Sequence, residues 1–516
     1  MATVALRSIQ GKWIMACTIM ASAMAFIDAT ALNVILPSLQ QHLKASGPDL
    51  FWILNAYLLM LASLILIGGT LGDRLGRKKI FMIGIFIFIL GSAACGFSTS
   101  ATILIIFRVI QGVGGALMIP GSLSLISSSI DEKERGKAIG TWSAATTLVT
   151  MGGPALGGAL ADAGLWRYIF FINVPIGIIV LFFLATKVKE IKDDNNNKGL
   201  DIYGAIAIAL GLAMLTFGFL RLPAVGFSNI QGYGSITAGI SLLLAFIVIE
   251  RKSNHPMMPL SLFSNVIFRG TNLLTFFLYA GLGAGMLFIS LNMVQVQGYT
   301  QLESGLTFLP FTIFMVVNAR FAGSLADRHG PRLFLILGPF LAGGGLLLLS
   351  YIQQTKGPSE YWTTFLPGIL VFGFGMSLTV APLTAAVMGS VSDHFTGAAS
   401  GINNAVSRIA GVFANAVLGS LAVLLFSAAL QKEIKELSLT QQQKQAVIAQ
   451  TVNLGNARVP IGFNAIQEKK ITAAYHSGFI NAYGKIMKIS AGLGFLASLM
   501  ALIFIQSPDT QKKPSR

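Results

Sequence analysis

Asp28 sits in the middle of an apolar stretch, FIDATALNVILPSL, and that placement points to proton chemistry. An ionised carboxylate at mid-bilayer costs on the order of 3 kcal/mol on insertion scales, so it survives only facing water, paired with a cation, or protonated. Burial disfavours the charged form, which lets such a group take up and release protons near neutral pH. The structural reading of the same residue is a permanently protonated Asp that bonds one helix to another. Arg108, in IIFRVIQGVGG, is the matching intramembrane cation. It cannot shed its proton and must find carbonyls, water or a carboxylate. Near an acid, its charge favours the ionised form and so forces proton release; a purely structural Arg is the alternative. Gln111 shares its general face one turn on, and Gly112, Gly114 and Gly115 leave room beside it.

A second kind of charge stands at helix ends. GTLGDRLGRKKI, Gly69 to Ile80, returns as GSLADRHGPRLF, Gly323 to Phe334, so that Gly69, Asp73, Arg74 and Gly76 match Gly323, Asp327, Arg328 and Gly330. Arg74, Arg77, Lys78 and Lys79 suit the negative end of a helix dipole, whereas Asp73 needs a positive partner there. An Arg or a neighbouring helix N-terminus would answer it and make the loop a latch between moving parts; Arg320 and Arg408 are the candidates, with lining of the cytoplasmic path as the other reading of Arg408. Gly76 suits a turn with positive φ. Two matched copies in corresponding places mark an internal duplication, where one alone would read as a plain basic loop.

Small and polar residues inside the apolar runs complete the set. MGGPALGG, Met151 to Gly158, spaces Gly153 from Gly157 and Pro154 from Gly158 by four, which gives a flat packing face with a bend at Pro154. SGINNAVSRIAG carries Asn403, Asn404 and Arg408. Asn33, Tyr57, Gln111, Tyr279, Asn292 and Gln295 are polar groups within helices that would line a cavity, although each also suits an ordinary interhelical bond.

The elements that hold these residues are membrane helices. The chain of 516 residues is 54% hydrophobic and 11% charged, with 56 Gly, and its mean hydropathy is +0.72. This is the profile of packed transmembrane helices, not of a soluble protein. At about 20 residues per span, the sequence predicts about fourteen helices. They fall near 13–37, 50–71, 79–98, 101–127, 138–161, 166–186, 202–221, 232–250, 270–296, 304–325, 332–352, 361–388, 398–427 and 482–505. With both termini inside, the basic loops RLGRKK, DEKERGK, KVKEIKDDNNNK, ERK and DRHGPR are cytoplasmic, and the short outer loops keep only Lys44, Arg167, Arg221 and Lys356. The net charge of +16 therefore reflects membrane retention and anionic lipid, not nucleic acid. The expected class is an all-α polytopic membrane protein. A six-helix bundle spans 1–198, two extra helices span 199–255 at the lipid-facing periphery, and a second six-helix bundle spans 256–516. A long outer segment, about 431–477, reads as a surface loop, with partial cover of the external mouth as the other reading.

Cys17 and Cys95 lie inside apolar runs, so no disulfide framework is expected, and the first apolar run is long enough to remain as an uncleaved helix. No GxxxxGK[ST], HExxH, CxxC or GxSxG motif stands out, so the residues suggest neither ATP hydrolysis nor a metal or enzyme centre. His42, His255, His329, His394 and His476 are expected in loops or at helix ends. The energy source is then an ion gradient or the cargo's own, with no cofactor.

Taken together, these patches resemble the major facilitator superfamily and, within it, the fourteen-helix drug:proton antiporters of the DHA2 group. The resemblance rests on FIDATALNVILPSL with Asp28, Asn33 and Pro37, on the Gly69 hairpin, and on RVIQG from Arg108. It rests also on GGPALGG, on WRYIFFINVPIG from Trp166, and on GAASGINNAVSRIAG. It implies alternating access of two six-helix bundles around a midplane site, with Gly153, Pro154, Gly157 and Gly158 sealing the cavity. The family's exporters of organic dications carry a further acid in the tenth helix; Thr307 to Asn318 has none. The expected function is proton-coupled export of a lipophilic drug or dye by a monomer in the bacterial cytoplasmic membrane. A dedicated exporter of one metabolite, siderophore or lipid is the rival, and a non-transporting sensor the alternative from another class.

Overall fold

The computed structural model describes residues 4–188, 190, 201–226, 229–254, 256–392, 395–437 and 439–505, and within them leaves some helical side chains undescribed, including those of Asp73, Arg74, Arg320, Asp327 and Arg328. The chain is a bundle of long helices. In order these are α1 (Ile9–Leu43), α2 (Gly47–Leu75), α3 (Arg77–Gly96), α4 (Ala101–Ser129), α5 (Glu132–Asp162), α6 (Tyr168–Phe171) and α7 (Asn173–Lys187). There follow α8 (Ile202–Val225), α9 (Ile230–Lys252), α10 (Val266–Gln295), α11 (Gln301–Leu306), α12 (Leu309–His329) and α13 (Arg332–Leu349). The chain closes with α14 (Phe365–Gly389), α15 (Thr396–Glu433), α16 (Gln441–Ala449) and α17 (Ala465–Phe504).

Among the described residues, twelve helices, with α6 and α7 forming one, are long and apolar enough to cross a membrane. α5 and α12, at 31 and 21 residues, match that length and are consistent with about fourteen passes. Polar caps start many of them: Ser8, Ser46, Ser100, Asp201, Asn229, Asn265 and Asn464 each accept a backbone N–H of the first turn. The two matched hairpins turn on Gly76 and Gly330, with φ of 109° and 82°, a region that favours glycine.

The duplication read from the hairpins extends to packing. α4 lies on α2 and α3 as α14 lies on α12 and α13. α1 packs on α5 and α7 as α10 packs on α15 and α17. Glycines allow the close crossings: a methyl on Gly114 would strike Phe88, and one on Gly345 would strike Phe372, at equivalent places in the two halves.

Two expectations are corrected. α17 begins at Ala465, not near 482, so the segment between the last two passes is shorter than predicted and His476 lies within a helix. Of the two extra helices, α9 is largely uncovered as expected, but α8 is not peripheral. Ala207, Ile208 and Leu212 of α8 join Leu59 of α2 and Val412 of α15 in one buried cluster, so α8 lies along the seam between the halves. Loop geometry carries no information on such lateral docking, which depends on apolar faces meeting.

Hereafter the proximal face is the end of the bundle that carries residue 4, and the distal face is the opposite end.

Candidate functional site

At mid-height, α1 and α4 bring Asp28 and Arg108 together. Arg108 Nη1 donates to Asp28 Oδ2 at 2.5 Å and to Gln111 Oε1 at 2.8 Å, and Nε donates to the Ile53 carbonyl at 3.3 Å. Gln111 Nε2 donates to the other Asp28 oxygen at 3.0 Å, so both carboxylate oxygens are bonded. Asp28 and Arg108 are each 1% exposed, and Gln111 is fully buried. The Tyr57 ring, from α2, covers the guanidinium at 4.4 Å. Gly112 and Gly115 make room for Tyr57 against α4, since side chains there would collide with it. Tyr57 is buried and its hydroxyl has no partner. Asn33 stands further along α1, its carbonyl accepting from Ser290 of α10 at 3.4 Å.

One stripe of α15 faces α2 across the two halves. Gly401 meets Leu66, Ala405 shares a buried cluster with Tyr57, Asn415 donates to Asn55 at 3.3 Å, and Gly419 meets Phe51. Arg408 belongs to this stripe. It is partly buried, one turn from Ala405 and one from Val412, both of which are buried. Arg408 stands twelve residues in from the start of α15, at a depth that suits the path-lining reading better than the latch. Helical spacing gave its face but not its depth. The side chains of Asp73, Arg74, Asp327 and Arg328 lie outside the described residues, so their latch assignment is not placed.

The hairpin does carry a described lock. Glu190, just beyond α7, accepts from the backbone N–H groups of Lys78 and Lys79 at 3.1 and 3.0 Å, on the positive end of α3. Lys78 Nζ in turn donates to the Val188 carbonyl at 2.7 Å, closing α7. Arg77 reaches the Ser124 carbonyl of α4 at 3.4 Å, and Gly69 approaches Pro120. Glu190 was missed because it stands in a polar link with many charges; only its position after an apolar run marks it.

Toward the distal face, the GGPALGG segment packs two ways. Gly153 and Gly157 seat Thr30 and Ala31 of α1, while Pro154 and Gly158 press on Gly305, Gln301 and Leu302 of α11 in the other half. Asp162 then accepts from the Gln301 and Leu302 N–H groups at 3.0 and 2.8 Å. The capping-box pattern of Thr300 and Glu303 is the sequence signal that a helix starts there with N–H groups to spare.

Two of the cavity candidates, Gln295 and Asn292, make bonds between helices and loops at the same end. Gln295 Nε2 donates to Gln40 Oε1 at 3.0 Å, and its own oxygen accepts from Gly455 N at 3.1 Å. Asn456 donates to Gln40 at 2.7 Å, and Gln40 donates to the Asn453 carbonyl at 3.1 Å. Gln295 thus ties α1 and α10 to the segment after α15, away from Asp28. Asn292 is fully buried and accepts from Gln297 at 3.4 Å beside it. The segment itself is not a plain surface loop: Val447 and Leu454 are fully buried and Val452 abuts Gly47, so it covers the distal ends of both halves. Among the described residues no group of His, Cys, Asp and Glu could hold a metal ion.

Comparison with known proteins agrees with this architecture. The profile described as Major Facilitator Superfamily matches residues 18–415. The chain is 28% identical to the "Tetracenomycin C resistance and export protein" of Streptomyces glaucescens, over 95% of this chain and 91% of that protein. It is 32% identical to the "Multidrug resistance protein Stp" of Mycobacterium tuberculosis, over 85% and 81% respectively. Among solved structures, a bacterial homolog of the human lysosomal transporter Spinster superposes with a TM-score of 0.64 at 18% identity, covering 97% of this chain and 99% of that one.

Proposed function

The chain belongs to the Major Facilitator Superfamily, and on that premise we propose that it exports lipophilic drugs or related small molecules in exchange for protons. The export reading is supported by the named activities of its relatives, in antibiotic resistance and export. The proton reading is carried by one observation, the sealed Asp28–Arg108–Gln111 cluster. Asp28 can exist with or without a proton, whereas Arg108 always carries its charge. Ionised, Asp28 locks α1 to α4. Protonated, it gives up the ion pair, and the cluster must open or rearrange. A group that holds two helices together in one protonation state and frees them in the other is the element that exchange requires.

In the cycle that follows, the basic proximal face lies in the cytoplasm and the distal face outside. The distal seal of α5 on α11, with Asp162 on its helix end, holds the outside shut while cargo loads from within. A proton arriving at Asp28 from outside releases the cargo there, and its loss inside resets the pair. Gln111 holds the second carboxylate oxygen and so keeps the acid aimed at Arg108. Export proceeds as rigid rocking of two repeats, in keeping with the duplicated packing.

The test is reconstitution in liposomes with an imposed pH gradient and a panel of lipophilic dyes of both charges. Gradient-driven movement by the native chain, abolished in Asp28→Asn, is the expected result. Uphill transport by Asp28→Asn at undiminished rate would overturn proton exchange at this residue.

A further inference from the structure

The centre of the bundle, where alternating access would open a chamber between the halves, holds more positive than negative charge. Among the described residues, Asp28 is the one acid well inside a helix; the others stand at helix ends or in connections. Its charge is already answered by Arg108. Arg408 comes from the opposite half and, among the described residues, makes no hydrogen bond or ion pair. It stands on the stripe of α15 that faces α2, between Ala405, which shares a buried cluster with Tyr57, and Asn415, which donates to Asn55, so it lies where the halves meet, and not on the lipid-facing side. The neighbours on its own stripe, Ala405 and Val412, are small or apolar and buried.

An Arg keeps its charge at any accessible pH, and leaving it unanswered in a low-dielectric site is costly. Asn403 does not relieve it, because its amide is turned to Asn272 and Thr275 of α10 at 3.2 and 2.7 Å. Asn404 donates to the Ser400 carbonyl of its own helix. With Asp28 ionised the three central charges sum to plus one, and with Asp28 protonated to plus two. An anion that enters the chamber meets net attraction in both states. A cation would have to displace Arg108 from Asp28.

We infer that this exporter takes amphipathic anions: an apolar or aromatic body carrying a carboxylate, sulfonate or ionised phenol. Arg408 receives the charged group, and the half-buried ring of Tyr279 receives the body. The unpartnered Tyr57 hydroxyl is a further donor for the same group. This inference rests on the export reading above but concerns recognition, and binding tests it apart from transport.

The experiment is isothermal titration calorimetry of the full chain in lipid nanodiscs. Two probes are compared, the anion 8-anilinonaphthalene-1-sulfonate and the cation ethidium, each against empty nanodiscs. The native protein should bind the sulfonate at least about tenfold more tightly than ethidium. Arg408→Gln should weaken the sulfonate at least about tenfold, and Arg408→Lys should keep most of the affinity, because charge outweighs fork geometry for a single sulfonate. Ethidium bound as tightly as the sulfonate by the native chain overturns the inference without reference to any variant. So does Arg408→Gln with unchanged sulfonate affinity. Arg408-dependent sulfonate binding with no gradient-driven flux of either probe would uphold recognition and sink the export reading. Gradient-driven ethidium export with no sulfonate binding would do the reverse.

Discussion

Asp28 and Arg108 are eighty residues apart in sequence and meet at 2.5 Å with almost no solvent on either side chain. Their partnership is asymmetric, because only one member can neutralise itself. Arg108→Gln leaves a carboxyl that can take up a proton, while Asp28→Asn leaves a permanent cation in oil. Removing one partner of a buried pair costs about 3–5 kcal/mol, and the larger share of that range belongs to Asp28→Asn. Thermal unfolding of the two variants in detergent checks the order, and an equal or reversed ranking contradicts it.

Tyr57 offers a second contrast. Its ring covers Arg108 but its hydroxyl bonds to nothing. Tyr57→Phe should leave the melting temperature within about a degree of the native value, since no bond is lost. Tyr57→Ala removes the ring from a desolvated cation and leaves a cavity, costing about 3–5 kcal/mol. The same unfolding measurement separates the two.

Glycines in one short segment should differ sharply. A methyl on Gly157 would lie 2.9 Å from the Ala31 carbonyl oxygen and 3.0 Å from its Cβ, with backbone that cannot step aside, whereas one on Gly152 meets nothing within 4 Å. Gly157→Val should abolish transport or loosen the protein to solvent. Gly152→Ala should be neutral in rate and a few tenths of a kcal/mol more stable, as Ala is the better helix former. Dye flux and proton leak in liposomes report both.

The distal network makes a covalent test available. Gln40 and Asn456 bond at 2.7 Å across the join between α1 and the segment after α15. With Cys17 and Cys95 replaced by Ser, the pair Gln40→Cys with Asn456→Cys should oxidise readily, halt export, and recover on reduction. Oxidation with full activity would show that this segment stays put during the cycle.

How much of this was readable beforehand differs residue by residue. Asp28 and Arg108 were legible because each is a lone charge in an apolar helix, and a lone charge in hydrocarbon must be answered. The hairpin glycines were legible because Gly76 and Gly330 occupy a backbone region that other residues avoid. Gln295 stayed ambiguous because a polar side chain in an apolar run looks alike whether it faces a cavity or a neighbouring loop. The segment around Leu454 was undervalued because its burial depends on Gly47 and Gln295, far away in the chain. Arg408 had the right face and an undecided height, since periodicity fixes rotation about a helix but not which residues of other helices stand level with it.

The placement of α8 has one more outcome. By packing on both α2 and α15 it straddles the seam between the halves on that flank. Any rocking of one half against the other must therefore either carry α8 along with one partner or slide it over the second, so this added helix rides on the moving joint itself.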